Sequence, residues 1–233
     1  MISTVFFDVG GTLIHPDTSR LLAPLMASVV PSASHLLTAE RAAKRRQSGD
    51  GDAVPAIDVG QLGPHAGPVN LSYWQLYFDS LLNALGCCRD LLPELTARAG
   101  DSSHWTLVDP AAAPTLRRLR EAYRLAVISN ADGHIDRVLQ QAGLDRYFDG
   151  VFDSGTVGYE KPDPRIFQTA MKQMDAVSGQ SVYVGDVYAI DYLGATRAGM
   201  KPVLLDPNGV YGDWDVARIT SLSELPAWLS QQP

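Results

Sequence analysis

Hydrophobic residues follow two different periods along this chain. Ile2–Phe7 is a short apolar run rich in β-branched and aromatic residues, the pattern of a strand buried on both faces. Pro16 and Asp17 break it, and helical spacing then takes over. Leu21, Leu22, Leu25, Met26 and Val29 recur on one face until Pro31, and a second helix is expected over Thr38–Gln47. Ser72, with Gln75 three residues on, opens a third. Its face carries Trp74, Tyr77, Phe78, Leu81 and Leu85, and Gly86 stops it. A fourth covers roughly Leu91–Ala99. Ser48–Asn70, rich in Gly and Pro, reads as a long loop. Residues 17–106 thus carry no strand pattern.

From about Asp109 the texture becomes alternation. Helices are expected at Thr115–Ala122, Ile135–Ala142, after Asp163-Pro164, and at Tyr188–Ala198. Strands are expected at Leu125–Ile128, Val151–Asp153, Ser181–Val184 and Pro202–Leu205, with a last short helix in Ser221–Leu229. Helix–strand alternation implies an α/β fold with a parallel sheet covered on both faces. The helical block after the first strand is then an insertion.

Composition narrows the class. The 233 residues are 45% hydrophobic and 19% charged, a globular balance able to bury one core plus an appendage. A net charge of −7 gives no basic surplus for nucleic acid. No apolar run reaches membrane-spanning length, and no signal sequence is expected from the first residues, because Phe6-Phe7-Asp8 interrupts their only apolar run. Cys87 and Cys88 are adjacent, which suits free thiols in a reducing compartment, so a cytoplasmic location is expected.

In a parallel sheet the carboxyl ends of all strands share one edge, where open α/β sheets bind ligands. The first strand ends at Asp8, followed by Gly10-Gly11-Thr12. The next ends at Ser129-Asn130, and a later one at Gly185-Asp186 with Asp191 beyond. Lys161 lies between two of them. Three carboxylates and one ammonium at one edge imply a compensating hard cation, and magnesium held by Asp8 and Asp186 fits. Lys161, Ser129 and the backbone N–H groups of Val9–Thr12 would face an anion. Asp8 is placed to attack it.

Asp8-x-x-Gly11-Thr12-Leu13, Ser129-Asn130, Val157-Gly158-Tyr159-Glu160-Lys161-Pro162-Asp163-Pro164 and Gly185-Asp186-x-x-x-x-Asp191, in this order, resemble the haloacid dehalogenase superfamily, helical-cap subclass. The resemblance implies a Rossmann-like core, residues 1–16 and 107–233, and an inserted helical cap, residues 17–106. It implies a magnesium-dependent hydrolase, most simply a phosphatase of a small phosphorylated metabolite. Asp8 would be the nucleophile, and Asp8, Asp186 and the Gly10 carbonyl would hold magnesium. Ser129 and Lys161 would serve catalysis, Gly11, Thr12 and Asn130 would contact substrate, and Asp191 would support Lys161 or a metal-bound water.

Position 10 departs from the pattern. Phosphatases of the family carry a second Asp there that protonates the leaving alkoxide, and Gly10 has no proton to give. Losing a general acid removes roughly a hundred- to ten-thousand-fold in rate. A leaving group that needs no proton, such as an acyl phosphate, would answer this. So would a substitute acid, His65 or His15, or loss of turnover leaving a phospho-ligand binder. A dehalogenase ranks lower because Asp186 would repel an anionic haloacid. A phosphonate hydrolase would need a cap lysine, and Lys44 within Arg41–Arg46 reads as part of a solvated basic face.

Overall fold

The fold is given by a computed structural model that describes residues 1–49 and 72–232. The apolar run at the amino end forms strand β1 (Thr4–Phe7), with all four residues buried. Its side chains alternate between two cores. Val5 and Phe7 enter one with Leu125, Val127, Val182 and Val184, and Phe6 enters the other with Ala126, Ile128 and Tyr183. That alternation is why the run reads as continuous hydrophobicity.

A short antiparallel ribbon follows, β2 (Ile14–Pro16) with β3 (Trp105–Val108). Between the two ribbon strands every described element is helical: α1 (Thr18–Leu21), α2 (Ala23–Ser28), α3 (Ala33–Gln47), α4 (Ser72–Ala84) and α5 (Leu92–Ala99), with two short 3-10 turns. Leu21, Leu25, Ala43, Phe78, Leu81 and Leu95 form the core of this block.

The remaining elements alternate. They are α6 (Ala112–Leu119), β4 (Arg124–Ser129), α7 (Ile135–Gln141), β5 (Gly150–Asp153), α8 (Ser154–Val157), α9 (Pro164–Gln173), β6 (Ser181–Gly185), α10 (Leu193–Arg197), β7 (Lys201–Leu205), β8 (Arg218–Ile219) and α11 (Leu225–Ser230). The sheet order is β5-β4-β1-β6-β7-β8, with every pairing parallel. β1 therefore sits between β4 and β6, where the winding reverses, and that switch point places the ends of β1, β4 and β6 around one crevice.

Several boundaries differ from the sequence reading. α3 begins at Ala33 because the Ser32 hydroxyl caps it, accepting from the His35 N–H at 3.2 Å. The first helical run is two pieces, α1 and α2. Trp105 and Thr106, read as helical-block residues, belong to β3, whose four residues are too few to show a period. β8 was missed for the same reason. The expected helix from Tyr188 opens as a π-turn, Tyr188–Tyr192, before α10. Most of the Gly/Pro loop, including His65, lies outside the described residues. Among the described residues no helix is long and apolar enough to cross a membrane.

Candidate active site

Asp8 leaves β1 one residue past its last pairing, its N–H donating to Val184 O at 2.8 Å. Only 6% of it is exposed. Its Oδ1 accepts from Lys161 Nζ at 2.6 Å, and Oδ2 has no protein partner among the described residues. The same ammonium donates to Asp191 Oδ1 at 2.8 Å and to the Tyr183 hydroxyl at 2.8 Å. Asp191 is fixed in turn, because its Oδ2 accepts the N–H groups of Asp186 (3.1 Å) and Val187 (2.9 Å). The π-turn puts Asp191 under these amides. Asn130 clamps Lys161 from behind, donating to its carbonyl at 2.9 Å and accepting from its N–H at 2.7 Å. Read from the sequence as a substrate contact, Asn130 has both ends of its amide engaged in positioning Lys161.

Asp186 follows β6 and meets a second ammonium. Lys44 Nζ, on the last turn of α3, donates to Asp186 Oδ2 at 2.6 Å, with the lysine side chain 23% exposed. The basic stretch is therefore only in part a solvated face, because Lys44 and Arg45 turn to the sheet edge. Ala39, Ala43 and Gln47 form the buried stripe of α3, and Lys44 and Arg45 flank it toward the sheet. Arg45 forks onto Asp213 at 2.7 and 3.1 Å and lies over the Trp214 ring, while Ser48 Oγ is 2.8 Å from the Tyr211 hydroxyl. Arg41 and Arg46 remain exposed.

The turn after Asp8 is tight. Gly11 adopts φ +83°, and a Cβ there would land on the Asp186 carboxylate. The Gly11 and Thr12 N–H groups are engaged inside the turn, on Ile14 O (2.8 Å) and Val9 O (3.2 Å). Among the described residues those of Val9 and Gly10 have no partner, so they are the backbone donors left for an anion. Thr12 is fully enclosed with its hydroxyl unpartnered, while Ser129 is buried and borders the cleft. His15 also borders it, held by Asp109 at 3.2 Å. At Gly10 a Cβ would meet the Trp105 ring at 3.1 Å. The register of the β2–β3 ribbon slips between His15 and Pro16, beside Trp105, and the indole fills the space that a longer side chain at position 10 would need.

These groups line a cavity of about 420 Å³ between the sheet edge and the helical block. Burial pushes the Asp8 carboxyl up to about 7, against the opposing pull of Lys161, with Asp191 and Asp186 adding repulsion. Lys44 and Lys161 are held protonated above the usual lysine range. Burial works against their charge, and Asp186 in one case and Asp191 and Asp8 in the other outweigh it. One carboxylate oxygen from each of Asp8, Asp186 and Asp191 lies within 4.8 Å of the others. Three carboxylates against two ammoniums leave negative charge to spare, and two oxygen donors sit beside a glycine that makes room. This donor set suits a hard divalent cation at Asp8 and Asp186. Asp191 is the poorer ligand because both its oxygens already accept hydrogen bonds.

A family model of haloacid dehalogenase-like hydrolases matches residues 2–199. The chain belongs to this family. The human haloacid dehalogenase-like hydrolase domain-containing protein 3 is 41% identical over 117 residues, 46% of each chain. The glyceraldehyde 3-phosphate phosphatase of Methanopyrus kandleri is 36% identical over 146 residues, covering 60% of this chain and 61% of the other. The matches span about half the length of the first of these curated relatives. Among solved structures, a 2-haloacid dehalogenase from Pseudomonas syringae pv. Tomato DC3000 aligns over 100% of both chains with a TM-score of 0.58 and 25% identity. A HAD phosphatase from Thermococcus onnurineus aligns over 99% of both with a TM-score of 0.60 and 24% identity.

Three side chains of this haloacid dehalogenase-like site escaped the sequence reading. Tyr183 carried a signal, since a phenol inside the buried strand Ser181–Gly185 needs a partner for its hydroxyl. Lys44 was one position off the small-residue stripe Ala39–Ala43 and showed its role only in tertiary contact. Trp105 lay in a strand too short to detect.

Proposed function

We propose that the protein is a magnesium-dependent phosphohydrolase acting on a small phosphorylated metabolite through an aspartyl-phosphate at Asp8, the helical block serving as its cap. The observation that carries this reading is the pairing of Asp8 Oδ1 with Lys161 while Oδ2, without a partner among the described residues, borders the cavity. Oδ2 attacks phosphorus, the P–O bond to the leaving group breaks, and the leaving oxygen takes the electron pair. Lys161 steadies the carboxylate and the charge that builds on the phosphoryl oxygens. Asp191, Tyr183 and Asn130 hold Lys161 in place. The Ser129 hydroxyl and the Val9 and Gly10 N–H groups donate to the phosphoryl group. Water then hydrolyses the acyl phosphate, which releases inorganic phosphate and restores Asp8. Asp8, Asp186 and the Gly10 carbonyl would hold magnesium, which when bound would supply positive charge against the phosphoryl oxygens.

The phosphatase names among the relatives support the reaction class. The dehalogenase reading is weaker here, because three carboxylates around the attack site repel a haloacid anion. Lys44 as a Schiff-base amine is weaker too, since Asp186 keeps it protonated and therefore not nucleophilic. Phosphate release from acetyl phosphate with magnesium tests the proposal. Asp8→Asn should abolish it, and a phosphorylated enzyme should be trapped on Asp8 in wild type alone. Turnover surviving in Asp8→Asn, or no turnover in wild type, sinks the proposal.

A further inference from the structure

The leaving-group side of the cleft has an unusual wall. In-line displacement sends the leaving group away from Asp8, toward the surfaces that the helical block and the ribbon contribute. There the Trp105 ring packs on Gly10, two residues from Asp8. Its indole N–H is satisfied by Ala99 O at 2.9 Å, which leaves the ring carbons to the cavity. Trp74 lies beside it with ring centroids 5.6 Å apart, and Tyr77, edge-on, and Phe78, tilted, pack behind at 5.8 and 6.0 Å from Trp74. Leu21 and Leu22 extend the same surface. Both tryptophans are only partly buried and border the cavity, so the aromatic faces are available to a ligand. Position 10 holds no proton donor.

Resting on the phosphohydrolase reading, we infer that the substrate is an aryl phosphate monoester whose aromatic leaving group packs against the joint wall that Trp74 and Trp105 form on the cavity. The chemistry and the packing point the same way. A phenolic oxygen has a pKa near 10, against about 16 for a hydroxyl resembling water. An aryloxide therefore leaves with the P–O electron pair and takes its proton from water afterwards, with no acid at position 10. Aromatic stacking contributes binding for a ring that an alkyl or sugar group cannot match.

Steady-state kinetics with magnesium on acetyl, phenyl, benzyl and butyl phosphates test this. The expected kcat/KM for phenyl phosphate is at least about 100-fold above that for benzyl or butyl phosphate, the range an absent acid leaves unfilled. Benzyl phosphate, aromatic but with an alkoxide leaving group, should inhibit competitively and roughly fivefold more tightly than butyl phosphate, the scale of an aromatic pair. Trp74→Leu and, separately, Trp105→Phe should raise KM for phenyl phosphate relative to that for acetyl phosphate by about the same factor. Comparable kcat/KM for phenyl and butyl phosphates overturns the inference and assigns a proton donor to the cleft, where Glu40 faces the same cavity. KM values that move together in both variants also overturn it. If acetyl phosphate itself is not hydrolysed, the phosphohydrolase reading fails first and takes this inference with it.

Discussion

Ionised Asp8 should destabilise the metal-free fold, and Asp8→Asn should remove that penalty. The carboxyl is moved from 3.8 in the unfolded chain to about 7 in the fold, chiefly by burial. The sign follows directly. Between these two values the native state keeps a proton that the unfolded state has lost, so stability falls as pH rises through the window and levels off above 7. Three pK units correspond to about 4 kcal/mol in total, of which more than half falls between pH 5 and 8. The amide keeps an oxygen for Lys161 and has no charge to bury. Urea unfolding of both proteins in chelator at pH 5, 6.5 and 8 measures this, with every other titrating group common to the two. The variant should gain on wild type by about 2–3 kcal/mol across that range. Saturating magnesium should flatten the wild-type dependence, because a cation at Asp8 favours the ionised form. A gap between the two proteins that does not move with pH refutes the reasoning, and so does one that moves the other way.

Three further outcomes follow from single contacts. Lys44→Gln removes the ammonium from Asp186 and should tighten magnesium binding at least about tenfold, because like charges a few ångströms apart repel. Calorimetric titration with the metal reads it, and weaker binding would contradict the placement of Lys44. Gly11→Ala drives a Cβ into the Asp186 carboxylate at φ +83° and should destabilise the fold by about 1–3 kcal/mol while impairing metal binding. A normal denaturation midpoint would show that the turn is looser than drawn. Tyr183→Phe deletes a hydroxyl that contacts Lys161, Asp191 and the Ile128 carbonyl, and should cost about 1–3 kcal/mol of stability in urea.

What was legible in the sequence was whatever the backbone period dictates. β1, β4 and β6 are buried on both faces, so their residues had to be mostly apolar, and the polar residues that end them had to be at the sheet edge. Asp8, Ser129 and Asp186 follow from that alone. Lys161 followed from its place at the same edge, and the family pattern paired it with Asp8 and Asp191, whereas its contacts with Tyr183 and Asn130 were not foreseen. Asp191 required the π-turn to swing its carboxylate under the Asp186 and Val187 amides, which no helical period announces. Trp105 was invisible because a four-residue strand shows two residues per face. Lys44 was misjudged for a different reason. A run of Arg and Lys ordinarily marks solvent, but here α3 ends against the sheet edge, where acidic groups await it.

That ending of α3 ties the chemistry to the position of the helical block. Asp186 has two oxygens, one engaged by Lys44 and the other open to a cation, so block and metal share a single carboxylate. Arg45 on Asp213 and Ser48 on Tyr211 fix the same helix end to the 206–216 segment. Moving the block therefore withdraws positive charge from Asp186 and at the same time lifts the Trp74 wall from the cavity. The ring that crowds position 10 belongs to the ribbon at the base of that block. On the proposed reading, position 10 and the helical insertion form one device: the small residue makes room for an indole, and the indole offers a surface to a leaving group that needs no proton donor.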